Sequence, residues 1–368
     1  MVRRCIAVLL LALLLVGCAE RAEAPRDEAV PVGHMALSYA EQFAVDYYDG
    51  GAALVTIAGE ERYLLVPDGA DAPEIAGATV LHTPLDRLYL ASSGAMDSFI
   101  RLGALDAVRF TGTAASDWSL GEVVDALDAG KLCYVGKYRA PDYERLLDEG
   151  CSLALENTMI LHSPATREQL QALGIPVLIE RSSYEAHPLG RMEWIKLYAL
   201  LVGREAEAEA FFERETAALD DILNAEPTGK SAAFFFVSPN GWINVRRAGD
   251  YIPKMIELSG GVYVPSETEG EEDARSAVNL QPEAFYAGAK DADVLIYNSN
   301  IYTIDSVAQL VAQNDLFADF KAVREGNVWA TEQNVFQQTT AVGGMIADFR
   351  AVLSGTGRDR LTYLYRLT

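Results

Sequence analysis

The chain has 368 residues, half of them hydrophobic, enough to bury a sizeable core and to divide into two lobes or domains. Lys and Arg number 30 against 53 Asp and Glu, a formal charge of -23. That balance excludes a nucleic-acid binder, and it excludes a protein held to an anionic bilayer by basic patches, because both surfaces would repel it.

At the N-terminus, Arg3 and Arg4 precede an uninterrupted apolar run from Ile6 to Val16. The run is too short to cross a hydrocarbon core about 30 Å thick, so residues 1–17 read as a secretory signal peptide. Its end, Leu15, Val16 and Gly17 followed by Cys18, resembles a lipobox, the signal of bacterial lipoproteins in which the cysteine is diacylated and becomes the mature N-terminus. The competing readings are an ordinary signal peptide and a membrane anchor with an incidental cysteine. Residues 18–33, beginning CAERAEAPRDEAVP, are polar and read as a flexible tether. Lipid on Cys18 would hold the folded part outside the cell membrane, at the surface or in a periplasm.

Residues 34–85 alternate apolar and polar positions around Gly50 and Gly51, a β-meander expected to extend the sheet of the next lobe. Residues 86–203 alternate short apolar strands (DRLYLAS, AVRFTG, KLCYVG, CSLALEN, PVLIE) with helical segments. Residues 227–368 repeat the pattern with SAAFFFVS, DADVLIYNS and NVWATEQ as strands and a closing helix from about Ala341 to Leu353. The fold class is therefore α/β, two Rossmann-like lobes with mostly parallel sheets. Between them, residues 204–226 place Ala208, Phe211, Phe212, Leu219, Ile222 and Leu223 on one helical face. This predicts one helix of about twenty residues, roughly 30 Å long. Crossing between the lobes, it would permit little domain closure; the other reading is a covering helix of one lobe.

Of four cysteines, Cys5 goes with the signal and Cys18 with the lipid, leaving Cys133 and Cys151 as either one disulfide or two buried thiols. His34, His82, His162 and His187 are scattered, with no second ligand at a metal-binding spacing, so no metal site is expected. His187 stands before Pro188 at a helix start, where a structural role is expected, with a haem ligand as the alternative. Neither SSGAMDS nor TGTAASDW forms a phosphate loop, and no G-x-S-x-G elbow is present. Asp220 with Asp221, and Glu271 to Asp273, read as solvated surface. Catalysis is not expected; the rival classes are a lipid-anchored sensing or adhesion domain and a secreted hydrolase.

The order of these segments carries a resemblance. TPLDRLYLASS, VGKYRAPDYERLLDEGCSLALEN, LGIPVLIE, EAHPLGRMEWIKLYALLVGREAEAEAFF, ELSGGVYV, DADVLIYNS and REGNVWATEQ, in that sequence, resemble the bacterial ABC-transporter substrate-binding proteins of the ferric-siderophore, haem and vitamin B12 class. HPLGRMEWIK followed by a helix resembles the iron-complex-binding lipoproteins among them. The resemblance covers the chain after about residue 34. It implies the class III periplasmic-binding-protein fold, two lobes joined by one long helix with a ligand in the cleft between them. It also implies a ligand that is an iron chelate, haem or cobalamin, no resident cofactor, and hand-off to a membrane permease and its ATPase.

PDYERLLDEGCSLALEN and QPEAFYAGAKDADVLIYNS share one grammar: Pro, a glutamate opening a short helix, a turn, and a strand ending in Asn. Glu144 and Glu283 thereby match, one per lobe, and the resemblance implies that they meet arginines on the permease. The bland reading is an acid complementing the helix dipole, worth about 0.3 to 1 kcal/mol. Ligands in open α/β sheets collect beyond the carboxyl ends of the strands. In those loops Trp118, Tyr138, Trp242 and Tyr302 offer aromatic faces, while Arg246 and Arg247 offer charge for carboxylates or a ferric chelate. Trp118, Trp242 and Arg247 are the strongest candidates; taken singly, each also fits packing or solvated surface.

Overall fold

The computed structural model describes residues 29–265 and 277–368. The signal peptide, Cys18, the first part of the tether and Glu271 to Asp273 lie outside the described residues.

Strands β1 (Gly33–His34), β2 (Phe43–Tyr47), β3 (Ala53–Ile57) and β4 (Glu61–Pro67) pair antiparallel in order, and β5 (Thr79–Thr83) joins β4 in parallel. Alternation buries both faces: Phe43, Val45, Val55, Ile57, Tyr63 and Leu65 on the main core, Leu54, Leu64 and Val66 in a smaller cluster with Tyr48. These strands form a sheet of their own, which corrects the expectation that they extend the neighbouring lobe's sheet. The reason lies in segment 38–42. Buried Glu193 accepts the backbone N–H groups of Ser38, Tyr39 and Ala40 at 2.9, 2.8 and 2.9 Å. Glu185 accepts those of Glu41 and Gln42 at 2.8 and 3.0 Å. With Phe43 edge-on to Trp194 at 5.0 Å, the meander lies on helices Pro188–Glu193 and Ile195–Val202, and it meets the neighbouring sheet through a side chain, Tyr63 donating to the Val177 carbonyl at 2.7 Å, instead of adding a strand to it.

The amino-terminal lobe holds β6 (Leu88–Leu90), β7 (Val108–Thr111), β8 (Cys133–Tyr134), β9 (Ala154–Asn157) and β10 (Val177–Glu180), all parallel in the order β10-β9-β6-β7-β8. The order reverses at β6, as in doubly wound sheets. The carboxyl-terminal lobe holds β11 (Ser231–Val237), β12 (Ile243–Arg246), β13 (Val262–Tyr263), β14 (Ala277–Leu280), β15 (Val294–Tyr297), β16 (Val328–Thr331) and β17 (Leu364–Arg366). Its parallel strands β13, β11, β15 and β16 are flanked by antiparallel β12 with β14 on one side and by antiparallel β17 on the other. The sheet is thus more mixed than expected, because β12, β14 and β17 are too short to show a pattern.

The predicted long helix runs as Glu205–Ala217 and Asp220–Leu223, interrupted at Ala218 and Leu219. The Thr216 hydroxyl bonds back to the Phe212 carbonyl at 2.8 Å, a competition with the ladder that accompanies the break. Phe212 meets Lys196 of the amino-terminal lobe at 4.6 Å, and Leu219 lies against Gly343 of the closing helix Val342–Ser354. The segment therefore crosses from one lobe to the other.

Candidate functional site

The carboxyl ends of both sets of parallel strands face one cleft. It holds about 580 Å³ and is lined by Trp118 and Ser119, beyond β7, and by Thr303, Asp305, Thr331, Glu332, Gln333, Asn334 and Tyr365 of the other lobe. Thr331 closes β16, Thr303 and Asp305 follow β15, and Tyr365 sits on β17.

Beside the cleft the lobes are tied together. The Gln337 side-chain amide accepts from Ser119 N at 2.8 Å and donates to the Asp117 carbonyl at 2.7 Å. Two residues on, the Thr339 hydroxyl donates to the Gly94 carbonyl at 2.7 Å. Thr340 donates its backbone N–H to buried Asp97 at 2.9 Å, and its hydroxyl bonds the same carboxylate. Burial pushes the Asp97 pKa up, while the Thr340 bonds and Arg101 pull it down.

Charged groups at the lobe interface are compensated internally. Arg191 stacks over Tyr251 at 4.2 Å, and Arg246, on β12, stacks over Phe336 at 5.1 Å and pairs with Asp250 at 3.5 Å. Burial raises the Asp250 pKa, against the pull of Arg246. Ser92 and the Ser182 N–H donate to Glu180 at 2.7 and 2.8 Å.

Of the six expected ligand residues, only Trp118 lines the cleft. It is 6% exposed and its indole N–H donates to the Thr113 carbonyl at 3.1 Å, so only part of its surface is free. Tyr138 packs on the cluster around Val135 and Leu146, with Arg139 at 5.8 Å from its ring. Trp242 is exposed at the β11–β12 turn, its carbonyl accepting from Ser238 N at 2.9 Å. Tyr302 is exposed beyond β15, 6.2 Å from the Phe236 ring. Arg246 is on a strand, not a loop, and Arg247 is half-buried with its Nε lacking a hydrogen-bond partner. Glu144 and Glu283 are both exposed in the first turns of helices Tyr143–Asp148 and Pro282–Ala289. Those helices follow β8 and β14, two strands that run the same way as the parallel strands of their sheets, so each glutamate stands on the cleft side of its lobe.

Asp305, Tyr365 and Gln337's bridging role escaped the sequence reading. Tyr365 carried a usable signal, the alternation of LTYLYRL near the C-terminus. His187 caps its helix, Nδ1 accepting from Leu189 N at 3.1 Å with the ring stacked on Tyr39 at 4.6 Å. Cys133 and Cys151 are free thiols; Cys133 Sγ accepts from Arg145 at 3.1 Å. Among the described residues no group of three or more His, Cys, Asp or Glu is placed to hold a metal ion, and no helix is long and apolar enough to cross a membrane.

A family model described as periplasmic binding protein matches residues 91–335. A lipoprotein of Methanocaldococcus jannaschii, itself uncharacterized, is 24% identical across 94% of this chain and 91% of its own. A second from that organism is 22% identical across 82% and 77%. Similar solved structures include the periplasmic haem-binding protein HutB of Vibrio cholerae, with 16% identity, TM-score 0.58 and 71% and 98% of the two chains covered. A periplasmic binding protein of Veillonella parvula has 15% identity, TM-score 0.61 and coverage of 85% and 98%. An ABC-type ferric-hydroxamate transport protein of Saccharomonospora viridis has 21% identity, TM-score 0.56 and coverage of 73% and 93%. At these identities the structural likeness is one of fold.

Proposed function

The chain belongs to the periplasmic binding protein family, and from that premise we propose that it is the substrate-binding lipoprotein of an ATP-driven importer. It captures an iron chelate, haem or cobalamin in the cleft and delivers it, unaltered, to a membrane permease. The observation that carries this reading is the cleft of about 580 Å³ between the strand ends of two lobes, closed on one side by the Gln337 bridge. A cavity of that size, lined by an aromatic face and scattered polar groups, suits a small-molecule ligand.

Acyl chains on Cys18 keep the protein near its permease, where a short tether gives an effective concentration in the mM range. Glu144 and Glu283, one on the rim of each lobe, orient it for docking. The family's ligand binding and the names of its relatives support this reading. Titration calorimetry of the full chain in detergent against haemin, cyanocobalamin and ferric catecholate, hydroxamate and citrate chelates tests it. Saturable sub-micromolar binding of one, with no chemical change in the recovered ligand, is the expected result; turnover, or no binding at all, would overturn it. Replacing Glu144 and Glu283 together by alanine should abolish uptake while ligand affinity is unchanged, and normal uptake would remove the docking role.

A further inference from the structure

The cleft's charge is lopsided. No Lys, Arg or His lines it, whereas Asp305 and Glu332 do, and both are exposed carboxylates without an ion-pair or hydrogen-bond partner on their oxygens among the described residues. Three donors near the cavity are already committed. The Trp118 indole N–H goes to the Thr113 carbonyl at 3.1 Å, Ser119 N to Gln337 at 2.8 Å, and the Tyr365 hydroxyl to the Ile304 carbonyl at 3.1 Å. Thr331 Oγ1 accepts from Ser299 N at 3.0 Å, which leaves its own O–H free to donate. Asn334 Oδ1, by contrast, is a buried acceptor with no donor. An orphaned buried acceptor costs about 1–3 kcal/mol unless something donates to it. Arg246 is spent on Asp250 at 3.5 Å and Arg191 lies over Tyr251 at 4.2 Å, while Arg247, whose Nε has no partner, does not line the cavity.

We propose that the cleft selects a neutral or cationic ligand that turns hydrogen-bond donors toward Asp305, Glu332 and Asn334, and that it discriminates against anionic complexes. This rests on the transport reading above and narrows its ligand class to complexes bearing amide, amine or hydroxyl donors. The aromatic surfaces of Trp118 and Tyr365 supply the apolar contact, and a cationic group near them gains from the rings as well as from the carboxylates. Every carboxylate facing an anionic ligand at a separation of a few ångströms costs it about tenfold in affinity in a solvated cleft.

The test is calorimetric titration of the full chain in detergent with four probes: cyanocobalamin, a ferric trihydroxamate bearing a free ammonium group, haemin and a ferric tris-catecholate. The same titrations follow on the Asp305→Asn, Glu332→Gln double variant. Both positions are exposed, so the variant should fold as the parent does. We expect one of the first two probes to bind about a hundredfold tighter than either anionic complex, about tenfold for each carboxylate, and the double variant to lose most of that preference. Tighter binding of haemin or the tris-catecholate, or a preference unchanged in the variant, would overturn this inference while leaving the transport reading intact. Binding of none of the four would overturn both.

Discussion

Glu156 lies on β9 with no exposed surface, and neither carboxyl oxygen has a hydrogen-bond partner. The nearby Tyr89 hydroxyl is buried and unpartnered as well. Burial alone pushes the Glu156 pKa from the ordinary 4.5 up to about 8. The folded state therefore holds the proton that the unfolded chain releases, and protonation favours folding. The stabilisation is complete below pH about 4.5 and is lost progressively as pH rises through about 8. Each pH unit in that window is worth about 1.4 kcal/mol, so the loss is about 3 kcal/mol at pH about 7 and about 5 kcal/mol once the window is crossed. Glu156→Gln keeps the shape and cannot ionise. Urea unfolding of parent and variant at several pH values between about 5 and 8 reads the difference. The parent's unfolding free energy should fall more steeply than the variant's by about 1.4 kcal/mol per unit. Other buried acids with raised pKa, Asp97, Asp250, Glu185 and Asp348, titrate in both proteins and cancel. Parallel curves would refute the assignment of a protonated Glu156.

Two further substitutions probe contacts that hold the pieces together. Glu193→Gln sets an amide N–H₂ against some of the three backbone donors that the carboxylate now accepts and removes the partner 3.3 Å from Lys196, so denaturation should show a loss of about 3 kcal/mol, with faster hydrogen exchange at 38–40. An unchanged midpoint would show that the meander is held by its apolar face alone. Gln337→Ala deletes two hydrogen bonds between the lobes, worth together about 2 kcal/mol, and should lower the unfolding midpoint while widening the distance distribution between labels placed one on each lobe. Distances that stay as narrow as in the parent would assign the tie to Thr339 and Thr340.

The parallel core was legible because buried strands read as continuous apolar runs: LYL in β6, VLIE in β10 and VLIY in β15. Helix starts were marked by Pro164, Pro188 and Pro282 in the first turn and by Asp142, Asp250 and Ser306 as capping residues. Pairing was not legible. Alternation in 34–85 tells which face of each strand is buried, but not that Glu185 and Glu193, some 150 residues away, would anchor the sheet to helices. INVR, half polar, and AVNL, with a polar Asn and an Ala, are four residues each and look like loop until a neighbour pairs with them. The site divides in the same way. Trp118 was found from its place after a strand, whereas Tyr365 reaches the cleft only because β17 folds back beside β16. Arg246 was misread as free because Asp250, four residues on at the cap of helix Tyr251–Leu258, had no visible reason to claim it.

The Gln337 amide accepts from the N–H of residue 119 and donates to the carbonyl of residue 117, the two groups on either side of Trp118. A side chain thereby does what a neighbouring strand's peptide group does in a ladder, supplying one rung from the opposite lobe. Trp118 is attached to one half of the molecule by covalent bonds and held in orientation by the other. Its indole N–H is tied to the Thr113 carbonyl of its own half, so a ligand or partner that changes the angle between the halves pulls on the peptide groups either side of the ring, and the ring serves as an optical gauge of the joint.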